Sequence, residues 1–180
     1  FDAVMAAVRA SPELVALGRD GHNQDRFTSR DMIAVEARLE RAGHELARCE
    51  DHGVSQRHRD GALQAAEGQG LVLSGEQLGA FDRITNREGL ASVIGYAGTG
   101  KSAMLGVARE AWERQGYQVR GATLSGIAAE NLEGGSGIAS RTIASLEHAW
   151  AQGRDVLASN DVLVVDEAGM IGSRQMERVL

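Results

Sequence analysis

The 180-residue chain has a single lysine among its 19 basic residues. That lysine, Lys101, lies in Gly95-Tyr96-Ala97-Gly98-Thr99-Gly100-Lys101-Ser102. The run fits G-x-x-x-x-G-K-[ST], the spacing of a phosphate-binding loop. Glycines let the backbone curl round an anion with its N–H groups turned inward, at a helix N-terminus whose dipole already favours negative charge. A compact ammonium on a flexible stem reaches β- and γ-phosphates where the planar fork of an arginine fits badly. The Ser102 hydroxyl is suited to Mg²⁺. All eight residues of the run are therefore candidate nucleotide contacts, with Lys101 the catalytic one among them.

A second constellation, Val162-Leu163-Val164-Val165-Asp166-Glu167, ends an apolar run in two carboxylates. Ligands of open α/β sheets bind at the carboxyl ends of the strands. That position suits Asp166 to hold Mg²⁺, directly or through water, beside Ser102, and Glu167 to orient or deprotonate an attacking water. The bland reading is that the pair merely caps the next helix. A third candidate is Gln77 in Ser74-Gly75-Glu76-Gln77. Either Ser74 and Gln77 form a capping box, or the Gln77 amide reads an adenine edge as both donor and acceptor. The sequence leaves both open. A competing dinucleotide fingerprint, Gly98-x-Gly100-x-x-Ala103, wants an acidic residue about 20 positions on. Gly121-Ala122-Thr123-Leu124 stands there instead, so that reading fails.

The elements that must position these groups read as an α/β fold. From about residue 71 the pattern is helix 74–86, strand 91–96, the phosphate loop, helix 101–115, strand 117–122, a helix near 127–132, a flexible loop over 134–137, helix 142–152 and a buried strand 161–165. Alternating strands and helices imply a parallel sheet of crossover units. Residues 1–70 read as a helical segment. Short helices are expected over 2–9 and 12–17, then a polar turn over 18–25. Thr28 or Ser29 then caps a helix whose stripe is Met32, Val35, Leu39, Ala42 and Leu46, and a charged helix follows over 55–67. The domains expected are thus 1–70, helical, and 71–180, nucleotide-binding.

Composition narrows the classes. A net charge of −6 argues against a broad basic face for duplex DNA, though not against a narrow single-strand groove. Cys49 is alone, so no internal disulfide forms, and a reducing cytoplasm fits. No apolar run is long enough to span a membrane. The chain starts at Phe1 rather than Met and stops at Leu180 within a helical pattern, which reads as a fragment of a longer protein.

Taken in order, these motifs resemble superfamily 1 helicases of the RecD type. Ser74-x-x-Gln77 is similar to the glutamine motif, 95–102 to motif I, Gly121-Ala122-Thr123-Leu124-Ser125-Gly126-Ile127-Ala128-Ala129 to motif Ia, Ser140-Arg141-Thr142-Ile143-Ala144-Ser145-Leu146 to a DNA-contacting motif, and Asp166-Glu167-Ala168-Gly169-Met170 to motif II. The middle segments resemble those of Ti-type conjugative transfer relaxases, in which a relaxase is fused to a helicase. Motif Ia departs from the RecD pattern, having Leu124-Ser125-Gly126-Ile127 where Pro-Thr-Gly-Lys is usual, and this favours the conjugative branch.

The resemblance implies the first RecA-like P-loop NTPase domain, with an incomplete parallel sheet. The cofactors implied are ATP and Mg²⁺, and the partners single-stranded DNA and the conjugation machinery. Thr123, Ser125 and Thr142 would lie near the DNA backbone, although helix capping or turn chemistry accounts for them equally well. The second motor domain and its arginine fingers follow motif II in such helicases, so these residues alone should bind nucleotide with little turnover. Tyr96 and Tyr117 sit in a loop and a strand, and no His triplet accompanies them, so relaxase chemistry is not expected here. The alternatives are a RecD-like repair helicase and a P-loop ATPase switch with no DNA track.

Overall fold

A computed structural model describes residue 6, residues 10–96 and residues 98–180. Two compact units divide them: residues up to His44 together with Gly172–Leu180, and Glu45–Ile171. The helix expected over 2–9 lies, apart from Ala6, outside the described residues.

In the first unit the helix expected over 12–17 is corrected to a strand. There, β1 (Leu14–Arg19) pairs antiparallel with β2 (Asp25–Ser29). A short apolar run such as Leu14-Val15-Ala16-Leu17 has too little period to separate helix from strand. The polar turn decides. Asp20 Oδ1 accepts from the backbone N–H groups of His22, at 2.9 Å, and Gln24, at 3.0 Å. Asn23 takes a left-handed φ of 60°, a conformation asparagine tolerates. The helix α1 (Arg30–Arg48) starts where Ser29 accepts from the Met32 N–H at 3.0 Å, and it buries Val35 of the expected stripe. On α7 (Ser173–Val179), Glu177 pairs with Arg38. The hydrogen bond from Arg38, reinforced by its charge, holds the Glu177 carboxyl below the usual carboxylate range.

The second unit is a mixed α/β layer. The helices α2 (Gln56–Gly68), α3 (Gly75–Ile84) and α4 (Lys101–Gln115) share one core of Ala62, Ala66, Phe81, Val107, Ala111 and Trp112. A three-stranded parallel sheet in the order β4-β3-β5 carries the rest, with β3 (Gln118–Thr123) central, β4 (Ser140–Thr142) and β5 (Asp161–Val165). Crossovers α5 (Gly126–Ser136) and α6 (Ile143–Trp150) complete it, and a short 3-10 turn, Ala168–Met170, follows β5. Val162 and Val164 pack on the helical core, although β5 is half-buried throughout rather than buried as expected.

Two further expectations change. Residues 134–137 are not a flexible loop: α5 runs through Gly134 and Gly135 to Ser136, and Gly137 ends it at φ +70°. Packing outweighs propensity there, because Gly135 lies against α4 so closely that a Cβ on it would stand 2.7 Å from Ser102 Cβ. Residues 91–96 form no strand, and Ile94 is 99% exposed. A strand exists through its ladder. This segment makes no ladder among the described residues, although β5 pairs only with β3 and its outer edge is open.

Candidate functional site

The phosphate loop enters α4 through left-handed glycines, Gly98 at φ +77° and Gly100 at φ +73°. Gly100 is the N-cap and has no side chain to spend on the first turn, so no side-chain cap covers the leading N–H groups of α4. An anion fits such an end. Lys101 Nζ donates to the carbonyls of Gly95, at 2.6 Å, and Tyr96, at 2.9 Å, which folds the ammonium back over its own loop. Thr99 Oγ1 also donates to Tyr96 O, at 2.8 Å. A Cβ on Gly95 would meet Thr99 Oγ1 at 3.1 Å and Lys101 Cδ at 3.3 Å. The loop is thus tightly closed, with Lys101 and Thr99 both held to its own carbonyls. The Tyr96 side chain points to solvent. Ala97 lies outside the described residues.

The carboxylates arrive on β5. Asp166 N donates to Ala122 O at 3.0 Å, which extends the parallel ladder by one residue beyond the strand. Asp166 Oδ1 accepts from the Glu167 N–H at 2.9 Å. Glu167 has φ +54°, a left-handed turn that a non-glycine residue adopts at a cost, and its side chain is exposed. A cavity of about 420 Å³ is lined by Lys101, Ser102 and Asp166, with Leu90, Val93 and Leu163 among its other walls. It brings together the expected phosphate lysine and both expected metal ligands. Glu167, Gln77 and the loop residues Gly95, Tyr96, Gly98, Thr99 and Gly100 do not line it. Among the described residues no cluster of three or more His, Cys, Asp or Glu could hold an ion without help from a ligand. Ser102 and Asp166 therefore suit an ion that arrives with phosphate oxygens of its own.

Gln77 forms the capping box. Its N–H donates to Ser74 Oγ at 3.3 Å, and its Oε1 accepts from Ser74 N at 2.8 Å. Its Nε2 reaches further, donating to Thr99 O of the phosphate loop at 2.9 Å. Of the three residues expected near DNA, Ser125 and Thr142 cap α5 and α6, accepting from Ala128 N and Ser145 N, each at 3.2 Å. Both stand at the carboxyl edge of the sheet, as successors of β3 and in register with Thr123. Thr123 is 1% exposed and donates to Ser125 O at 2.8 Å. Its hydroxyl is spent shaping the turn and does not face solvent. Sequence reasoning missed Gly135, whose contact sets the position of Ser102. The Gly134-Gly135 pair was the signal, read as a break in the helix rather than a close approach.

A family model described as an AAA domain matches residues 72–180. The chain is 41% identical, over 98% of its length, to a probable conjugal transfer protein TraA of Sinorhizobium fredii. It is likewise 41% identical, over 98% of its length, to the conjugal transfer protein TraA of Agrobacterium fabrum. With a TraA of Rhizobium radiobacter the identity is 43% over 84% of the chain. The chain spans only 16% of the first two relatives and 13% of the third. No described helix is long and apolar enough to cross a membrane.

Proposed function

The chain belongs to the AAA domain family, and from that premise we propose that it is the Mg-ATP-binding part of a helicase that moves along single-stranded DNA during conjugative transfer. The observation that carries the reading is the single cavity shared by Lys101, Ser102 and Asp166, at the carboxyl edge of a parallel sheet and the open N-terminus of α4. The similarity to TraA proteins supports the conjugative setting, and in this reading the chain works in the cytoplasm beside the transfer machinery. In this reading the nucleotide-binding domain begins near residue 71, which the family match over residues 72–180 supports.

Each residue has one task in this reading. Loop N–H groups and Lys101 bind the phosphates. Lys101 exchanges two backbone carbonyls for charged oxygens, and such hydrogen bonds are roughly twice as strong as neutral ones. Ser102 and Asp166 hold the magnesium, which supplies charge neutralisation at the phosphates. Glu167 takes a proton from, or orients, the attacking water. Ser125 and Thr142 touch the DNA backbone, and Gln77, its amide bonded to Ser74 and Thr99, stands beside the phosphate loop. Calorimetry tests the core of the proposal. Mg-ATP binds the 180-residue chain, turnover is slow with or without single-stranded DNA, and Lys101→Ala removes binding. Unchanged ATP affinity in that variant would sink the site, and vigorous DNA-stimulated hydrolysis by these residues alone would overturn the need for a second motor domain.

A further inference from the structure

Gln77 does more than a helix cap or a base reader requires. A capping box is a local device, closed within four residues. Here the side-chain amide makes a second bond, to Thr99 O, 22 residues away in the phosphate loop. The fit is close on both sides: Gly100 lies directly against the amide, and a Cβ there would overlap Gln77 Nε2. The amide orientation is also fixed. Flipping it would set Nε2 against the Ser74 N–H, donor to donor, and Oε1 against Thr99 O, acceptor to acceptor.

The bond bears on the phosphates through peptide geometry. The Thr99–Gly100 peptide is planar and trans, so its carbonyl and its N–H point in opposite directions. Pinning the Thr99 carbonyl to Gln77 turns the Gly100 N–H to the other face of the loop. Gly98 and Gly100, both left-handed, have no Cβ atoms to hold that peptide in place themselves. We propose that Gln77 is a positioning residue for the phosphate loop, which fixes the Thr99–Gly100 peptide from the N-terminus of α3 and so sets phosphate affinity whether or not a base is present. The inference rests on the loop being a phosphate site, as proposed above.

A ligand without a base separates the roles. Magnesium tripolyphosphate is titrated calorimetrically into the 180-residue chain and into the Gln77→Ala, Ser74→Ala and Lys101→Ala variants. Ser74→Ala is the control for the weakened cap, because it removes the hydroxyl and leaves the Gln77–Thr99 bond in place. Gln77→Ala should weaken tripolyphosphate about tenfold, the size of one lost hydrogen bond, and Mg-ATP at least as much. Ser74→Ala should leave tripolyphosphate affinity within about twofold, although α3 frays more easily. If Gln77→Ala weakens ATP but leaves tripolyphosphate unchanged, Gln77 only reads the base and the proposal falls. Equal weakening by Ser74→Ala assigns the effect to the cap and also overturns it. Tripolyphosphate binding that ignores Lys101→Ala would instead remove the phosphate site itself, a different failure from either of these.

Discussion

Two apolar segments lead into the same cavity, and they are held in opposite ways. Residues 161–165 become β5, locked residue by residue to β3 from Gln118↔Asp161 to Ala122↔Val165, and deliver Asp166 on that ladder. Residues 91–96 resemble them in composition but make no ladder, and they deliver Lys101 through a loop. Apolar, β-branched sequence therefore states only a capacity to be a strand, and a neighbouring strand has to realise it. The consequence for the candidate site is that Asp166 rests on sheet hydrogen bonds. Lys101 and Ser102 rest instead on the helix α4, with Gln77 and Gly135 packed beside them.

The largest expected effect lies on the loop side. Lys101→Ala should weaken Mg-ATP by at least ~100-fold, the loss of two charge-assisted hydrogen bonds. The melting temperature should stay put, because the carbonyls of Gly95 and Tyr96 belong to exposed residues that water can satisfy. A collapse of the fold in circular dichroism would mean that the ammonium is structural and that the loop is not held as described.

Gly135→Ala tests whether helix packing positions Ser102. The added Cβ would lie 2.7 Å from Ser102 Cβ and 3.2 Å from its Oγ, so α4 and α5 must part. Overpacking of this kind costs about 1–3 kcal/mol. Chemical denaturation should show the loss, and the magnesium dependence of nucleotide binding should shift with it. Stability unchanged together with unchanged magnesium dependence would remove Gly135 from the account of the site.

On the strand side, Val164→Ala should cost about 1–2 kcal/mol, since Val164 packs on the helical core. At the end of the same strand the sign reverses. Glu167 at φ +54° is relieved by glycine, and Glu167→Gly should stabilise the unit by about 1 kcal/mol, read as a melting temperature a few degrees higher. The same variant should abolish hydrolysis in the full-length protein. A destabilised Glu167→Gly would show that the left-handed turn is not strained.

The sequence made most of the site legible because its chemistry is local. Gly95 to Ser102 is a contiguous loop with glycines at its special backbone positions, and Asp166 follows an apolar run that reads as a buried strand. The capping box was legible too, as a four-residue pattern. What stayed hidden was long-range. The bond from Gln77 to Thr99 spans 22 residues, and the approach of Gly135 to Ser102 depends on how two helices cross. Thr123 could not be read as buried without knowing that β3 is the central strand. Residues 12–17 failed for a related reason: a turn just beyond them, shaped by Asp20, determined the pairing of a run too short to declare itself.

The smallest expected effect is the sharpest test of the opening contrast. Ile94 sits where a strand was expected and is 99% exposed, so its side chain buries almost nothing. Ile94→Ser should change stability by no more than ~0.5 kcal/mol, as for any surface substitution that breaks no contact. A buried isoleucine in a laddered strand would lose several times that. Denaturant titration of the Ile94→Ser and Val164→Ala variants side by side therefore reads the two segments on one scale. Equal losses would mean that residues 91–96 find a partner in solution and that both sides of the cavity rest on sheet. A loss at Val164 alone leaves the phosphate side dependent on α4, Gln77 and Gly135, where a nucleotide can rearrange the loop without breaking a ladder.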